Sequence, residues 1–219
     1  MSIANRVKSL GARATMSDDD VRALLEKDHV EAKTLARQMC EAGTARRAVL
    51  LGKLKPILTA HSRAEERAVY DQLLLVREAE EPRTLGNEGY VEHSLVDGLL
   101  AKLAVMDAAT DAWLAHAKVL KELLEHHIAE EESDVFAELG EYFSREQLAA
   151  MGVRFQRDKD AILAGEARAQ RSVASRTRRA PPTARKTASK RTEPAKTTRR
   201  ARGAKTRKVA ARKSARTKR

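Results

Sequence analysis

Two stretches of this chain repeat one another: His61-x-x-x-Glu65-Glu66-x-x-Val69-Tyr70-x-x-Leu73 and His127-x-x-x-Glu131-Glu132-x-x-Val135-Phe136-x-x-Leu139. Residues four apart share one face of a helix, so an imidazole nitrogen and a carboxylate oxygen at that spacing converge on one point. That is the geometry of a metal-ion ligand pair. Imidazole with carboxylate suits iron, zinc or manganese, and the absence of a thiolate set argues against iron–sulfur clusters and structural zinc. The second stretch follows the first by 66 residues, and an acid–histidine pair precedes each, Asp28-His29 and Glu92-His93, at the similar offset of 64. The duplicated unit is therefore expected to be a helix pair, with four helices feeding one site. Two carboxylates among four histidines also permit bridging between two ions.

Hydrophobic periodicity supplies the elements that must position these groups. Helix one is expected from near Ser17, where Asp18, Asp19 and Asp20 place negative charge at its positive end, with Val21, Leu25, His29, Ala32, Ala36 and Met39 in one stripe. Helix two is expected from about Thr44 to Arg77, with Leu51, Leu54, Leu58, His61, Glu65, Val69 and Leu73 inward; Pro56 predicts a kink or a late start. Pro82, Gly86 and Gly89 mark the connection to helix three, whose inner stripe is Tyr90, His93, Val96, Asp97, Leu100 and Leu103. Helix four spans about Thr110 to Leu139 with Trp113, Leu120, Leu123, Leu124, His127, Glu131 and Val135 inward. Short connections make successive helices antiparallel neighbours. The fold class is all-α: an up-down-up-down four-helix bundle over residues 18–140, after an arm at 1–17. An accessory helix follows at 141–171, opened by the capping-box pattern Ser144-Arg145-Glu146-Gln147 and expected outside the bundle or as a bridge to the tail.

Charge divides the chain. From Arg168 to Arg219 there are 21 Lys/Arg and one acid, Glu193, whereas the remainder carries 22 Lys/Arg against 30 Asp/Glu. An acidic body thus bears a basic tail, and residues 172–219, rich in Ala, Thr, Ser, Pro, Lys and Arg, have too little to bury and are expected to be disordered when free. Their basic pairs, Arg178-Arg179, Arg185-Lys186, Lys190-Arg191, Arg199-Arg200, Arg207-Lys208 and Arg212-Lys213, are spaced by small residues so that an extended chain contacts successive phosphates. No aromatic residue interrupts them, so base stacking and sequence readout are not expected; DNA, or another polyanion, is the expected partner. The single cysteine, Cys40, excludes an intramolecular disulfide, suits a reducing compartment and is expected to be a small core residue. No run approaches the eighteen apolar residues of a membrane span, and residues 1–16 lack the apolar core of a secretory signal, so a cytoplasmic, nucleoid-associated protein without a membrane partner is expected.

From about Asp18 to Leu139 the chain resembles the hemerythrin-like, HHE-type cation-binding domain. The resemblance is carried by Leu24-Leu25-Glu26-Lys27-Asp28-His29, by His61-x-x-x-Glu65-Glu66, by Glu92-His93, and by His126-His127-Ile128-Ala129-Glu130-Glu131-Glu132 with Phe136. It implies a four-helix bundle housing two iron ions, with His29, His61, His93 and His127 as terminal ligands and Glu65 and Glu131 as bridges. The oxygen-carrying members place a second histidine four residues after the first on helix three; here that position is Asp97, either a substitute oxygen ligand or a coordination position left to water. The departure disfavours reversible oxygen carriage and favours iron binding, gas or redox sensing, or reaction with a small diatomic ligand or peroxide.

Helix four offers two registers, His127/Glu131 and His126/Glu130, and the repeat, which aligns Tyr70 with Phe136, selects the first. Glu66, Glu130 and Glu132 are then expected on a solvated face, from which any of them can orient a ligand histidine. His116, on nearly the same face but about three turns away, is expected as an interior hydrogen-bonded histidine. No phosphate-cradling glycine loop, nucleophile elbow or Cys-x-x-Cys pair occurs, so no catalytic residue outside the metal site is expected. The alternatives are a structural nucleoid protein whose bundle holds no metal, and a metal-dependent peroxidase or oxidase.

Overall fold

The computed structural model describes residues 17–179. Its elements are α1 (Val21–Glu41), α2 (Thr44–Glu65), a π-helical turn π1 (Glu66–Tyr70), α3 (Asp71–Leu73), α4 (Glu81–Val105), α5 (Asp111–Glu130), a second π-helical turn π2 (Glu131–Val135), α6 (Phe136–Tyr142) and α7 (Arg145–Arg179). All regular structure among the described residues is helical. The arm at 1–16 and the basic pairs from Arg185 onward lie outside them, and of Arg178 and Arg179 only the backbone is described. α7 reaches Arg179, so the boundary expected at 172 falls within a helix. No described helix is long and apolar enough to cross a membrane.

Local chemistry sets the helix ends. Asp20 caps α1 by accepting from the Arg22 backbone N–H at 3.0 Å, and Thr110 caps α5 by accepting from the Trp113 N–H at 3.2 Å. The capping box opens α7 reciprocally: Ser144 N–H donates to Gln147 Oε1 at 2.8 Å and Gln147 N–H to Ser144 Oγ at 3.3 Å. α2 starts at Thr44 and continues through Pro56, so no late start occurs.

The loop expected around Pro82, Gly86 and Gly89 is already helix. Pro82 occupies the first turn of α4, where its missing N–H costs nothing, and both glycines lie inside the helix. A Cβ at Gly89 would collide with the Tyr70 ring, so the glycine is there for close approach.

α1, α2, α4 and α5 close a ring in which each packs on the next and α5 returns to α1. Two apolar clusters fill it. One holds Ala36, Met39, Leu54, Leu100, Leu103, Trp113 and Leu120; the other holds Val21, Leu25, Val69, Tyr70, Leu73, Phe136 and Leu139. Along α1 the second cluster ends at Leu25 and the first begins at Ala32, and His29 lies between them. The same order holds on α2, where His61 separates Leu58 from Ala64. A polar layer thus crosses the bundle between two hydrophobic plugs.

α7 is integral to this core. Its Leu148, Met151 and Phe155 are buried in the second cluster, and a Cβ at Gly152 would collide with the Asp19 carbonyl, which lets α7 lie close against the start of α1. It packs on α1 and α2, and so covers one side of the polar layer.

Candidate metal centre

Six of the expected ligands come together in the polar layer: His29, His61, Glu65, His93, His127 and Glu131 are all buried, and Glu65 and Glu131 are 0% and 1% exposed. Their ligand atoms fall into two groups within which every atom lies within 4.8 Å of the others: His29, His61 and Glu131, and Glu65, His93 and His127. The rings of each histidine pair meet edge to face, 5.1 Å apart between His29 and His61 and 5.0 Å between His93 and His127.

Each carboxylate sits between one imidazole of each pair. Glu65 Oε2 is 3.3 Å from His61 Nε2 and 3.4 Å from His93 Nε2; Glu131 Oε2 is 3.2 Å from His29 Nε2 and 3.7 Å from His127 Nε2. This placement is what a carboxylate needs to bridge two ions.

The outer nitrogens reveal how the rings are held. His61 Nδ1 lies 3.3 Å from Asp28, His93 Nδ1 3.2 Å from Glu66, His127 Nδ1 2.6 Å from Glu92, and His29 Nδ1 3.1 Å from Glu132. Every acid therefore serves the histidine of the next element, α1 to α2, π1 to α4, α4 to α5 and π2 back to α1, in a closed cycle. With Nδ1–H donating to a carboxylate, the Nε2 lone pair of each ring is directed inward as a metal ligand. The carboxylates expected on a solvated face at Glu66 and Glu132 are thus hydrogen-bonded to ligand histidines, and Glu66 is buried.

The π turns place these acids. Both begin directly after the α-helical run that ends in the motif, and a π turn takes in one more residue than an α turn. Glu65, Glu66, Ala68, Val69 and Tyr70 are all buried, because π1 packs against both α4 and α7. The motif spacing alone does not signal a π turn.

His29 Nε2, His93 Nε2, His127 Nε2 and both oxygens of Glu65 and Glu131 are buried with no hydrogen-bond partner, as is the hydroxyl of Tyr70. An unsatisfied buried polar atom costs about 1–3 kcal/mol, and the ion pairs at 3.2–3.7 Å offset only part of this for the eight atoms. Inward nitrogens and bridging oxygens are the donor set that imidazole- and carboxylate-binding metals take, so the residues fit such ions. Next to them lies a cavity of about 10 Å³ walled by Ala32, Leu58, Val96, Leu124 and Ile128 together with the four histidines. It is water-sized and mostly apolar.

Three residues that sequence reasoning did not assign complete the site. Tyr70 packs its ring 5.4 Å from that of His93, and burial, with the charges of Glu65 and Glu131, holds its phenol well above its ordinary range. Phe155 of α7 meets the His61 ring at 5.7 Å, and Lys159 Nζ donates to both Asp28 oxygens at 2.8 Å, fixing the acid that orients His61. The docking of α7 on the bundle, which carries both, had no local signal.

Other candidates lie elsewhere. Asp97 is about one-third exposed and pairs with Arg63, which also holds Glu66, so it does not join the six ligands. His126 is exposed and 3.4 Å from Glu130, outside the layer. His116 is not interior; its Nδ1–H donates to the Ala112 carbonyl at 2.7 Å near the surface. Cys40 packs against the first apolar cluster, and burial pushes its thiol up, away from the reactive thiolate.

Without an ion the layer holds protons instead. Burial opposes charge on His61 and His93, but Asp28 and Glu65 around the first and Glu65 and Glu66 around the second outweigh it, raising them from 6.5 to about 8 and about 9. Burial and the facing Glu65 charge raise Glu131, while burial of Glu65 is outweighed by its contacts with Glu131, His61 and His93 and it is held low. Raised histidines contribute stability that is complete below about 6.5 and lost as pH rises through about 8 to 9. Chelator-treated protein is therefore expected to melt several degrees lower at pH 9 than at pH 6; a melt that rises over that range contradicts the protonation described.

The family comparison agrees with this geometry. The sequence model of the family described as "Hemerythrin HHE cation binding domain" matches residues 20–139, from the start of α1 into α6. No curated protein and no solved structure matches the chain. The matched segment is just over half of the chain and contains all six inward ligands, so the chain belongs to the hemerythrin HHE cation-binding family.

Proposed function

We propose that the protein holds two iron ions between its histidine pairs and uses them to sense or remove a small oxidant or diatomic ligand, such as oxygen, peroxide or nitric oxide. The observation that carries the reading is the set of buried Nε2 and Oε atoms left without partners, all turned to the middle of one layer. His29 and His61 would hold one ion and His93 and His127 the other, with Glu65 and Glu131 between them. When bound, the iron pair supplies reversible electron transfer to a small ligand. The chain supplies the rest. Asp28, Glu66, Glu92 and Glu132 fix the imidazoles, the apolar walls of the adjoining cavity restrict access to water-sized molecules, and the Tyr70 hydroxyl offers a proton donor facing the carboxylates.

A non-specific nucleic-acid contact through the basic tail is part of the proposal, supported by the 21 Lys/Arg against one acid between Arg168 and Arg219. A nucleoid-bound iron centre would then intercept iron or oxidant close to DNA. Under the competing reading, a metal-free bundle that only condenses DNA, the buried unpartnered atoms would carry a cost with no return.

The test is a comparison of ligand variants. His61→Ala and His127→Ala are each expected to lower iron affinity by at least about 100-fold, the scale on which even residues that merely support a ligand act. His126→Ala is expected to leave the final iron content unchanged, because its ring lies outside the layer. Equal loss of iron in His126→Ala and His127→Ala contradicts the ligand register.

A further inference from the structure

The two halves of the metal layer are related by the repeat, with Asp28 matching Glu92, but their surroundings differ. Asp28 is neutralised by Lys159 of α7, with both oxygens at 2.8 Å. Among the described residues no Lys or Arg pairs with Glu92. Its side chain hydrogen-bonds His127 Nδ1 at 2.6 Å and borders an open groove of about 600 Å³ lined by Thr84, Asn87, Glu88, Val91, His126 and Glu130. Three carboxylates and one imidazole face this groove, with no Lys or Arg among the lining residues.

Ligand atoms of Glu92, His126 and Glu130 lie within 4.8 Å of one another, the spacing of a cation site. Beneath the groove a second, smaller cavity of about 20 Å³ shares Glu88, Glu92 and Glu130 with it and is lined inside by Tyr70, His127 and Glu131. The Tyr70 hydroxyl, His127 Nε2 and both Glu131 oxygens are buried and unpartnered there. The surface cluster thus borders a small cavity, walled also by Leu85, Gly89 and Val135, whose inner side carries the buried ligands.

We propose that Glu92, His126 and Glu130 capture a divalent cation from solution and pass it inward, with Glu92 as the residue common to the surface site and the buried centre. The inference rests on the metal-binding reading above and adds a loading route to it. Imidazole and carboxylate are ligands that ferrous iron takes, and the exposure of His126 and Glu130 leaves the site open to solvent. A groove lined by one sign of charge raises the local cation concentration and the rate of entry. The cluster affects how fast iron enters and not how much the centre holds.

The experiment follows anaerobic uptake of ferrous iron by the full, chelator-treated chain, by rapid mixing against an optical iron indicator. His126→Ala with Glu130→Gln is expected to load about 10-fold more slowly than wild type and to reach the same iron content. Glu122→Gln, an exposed acid of α5 that does not line the groove, serves as the control for lost charge and is expected to load at the wild-type rate. Equal rates for the double variant and wild type, with full uptake in both, overturn the capture site and leave the centre standing. Equal slowing by Glu122→Gln also overturns it, because overall charge would then set the rate. Absence of uptake in the wild type removes the metal reading and this route with it.

Discussion

Removal of the metal is expected to lower the melting temperature by roughly 10–20 °C. Eight buried polar atoms in and beside the layer make no hydrogen bond among the described residues, only the ion pairs at 3.2–3.7 Å, and a fully unsatisfied atom costs about 1–3 kcal/mol. Metal ligation removes most of that cost, and a ligand that binds only the folded state stabilises it by mass action. For a domain of this size each kcal/mol moves the melting temperature by about 2–4 °C, so several kcal/mol give the shift stated. Calorimetry on loaded and chelator-treated protein at one pH measures it. A shift below about 2 °C would mean that the ions do not occupy the core.

The second large effect concerns the tail. A chain ending at Gly165 retains Phe155 and Lys159, hence α7's hold on His61 and Asp28, and is expected to keep its iron and lose DNA binding. The remaining body has an excess of acids and repels phosphates. With the tail present, engagement of about eight phosphates gives a slope of log affinity against log salt near −7, at about −0.9 per neutralised phosphate. Substituting Arg199 and Arg200 by Ala is expected to reduce that slope by about two units without creating sequence preference. Tight binding by the shortened chain, or an affinity insensitive to salt, would contradict the proposal.

The four bundle rods and the six inward histidine and glutamate side chains were legible in the sequence because both depend on periodicity, and histidine and glutamate on an otherwise apolar stripe stand out. The internal repeat did more than any single motif, since it placed His127 and not His126 in register with His61. What periodicity does not encode was missed. The π turns add one residue to a turn and leave the residue types unchanged, so Glu66 and Glu132 read as solvated acids able to orient a ligand histidine, and which ring each holds, His93 and His29, was not legible. Gly86 and Gly89 read as loop because glycine disfavours helix interiors, whereas the bulk of Tyr70 against α4 demands a glycine at 89. Asp97 shares the stripe of His93, but Arg63 offers it an ion pair at the rim. The roles of Lys159 and Phe155 depend on where α7 docks, a long-range contact with no local signature.

The cycle of acids explains why a ligand set drawn from four separate rods is held so tightly. Each acid belongs to one rod and bonds the ligand of the next, so no histidine can turn without disturbing a neighbour. The π turns, within one residue of equivalent points of the repeat, carry Glu66 and Glu132 of the cycle. α7 then breaks the symmetry, covering His61 with Phe155 and leaving Glu92 beside the open groove.

The central claim is that the layer is a two-ion site, with each carboxylate shared between histidine pairs. Its most direct measurement is an anaerobic titration of the chelator-treated full chain with ferrous iron, with bound metal counted per chain. Saturation at two equivalents is the predicted result. Saturation at one, or no binding above that of the His61→Ala and His127→Ala double variant, contradicts it.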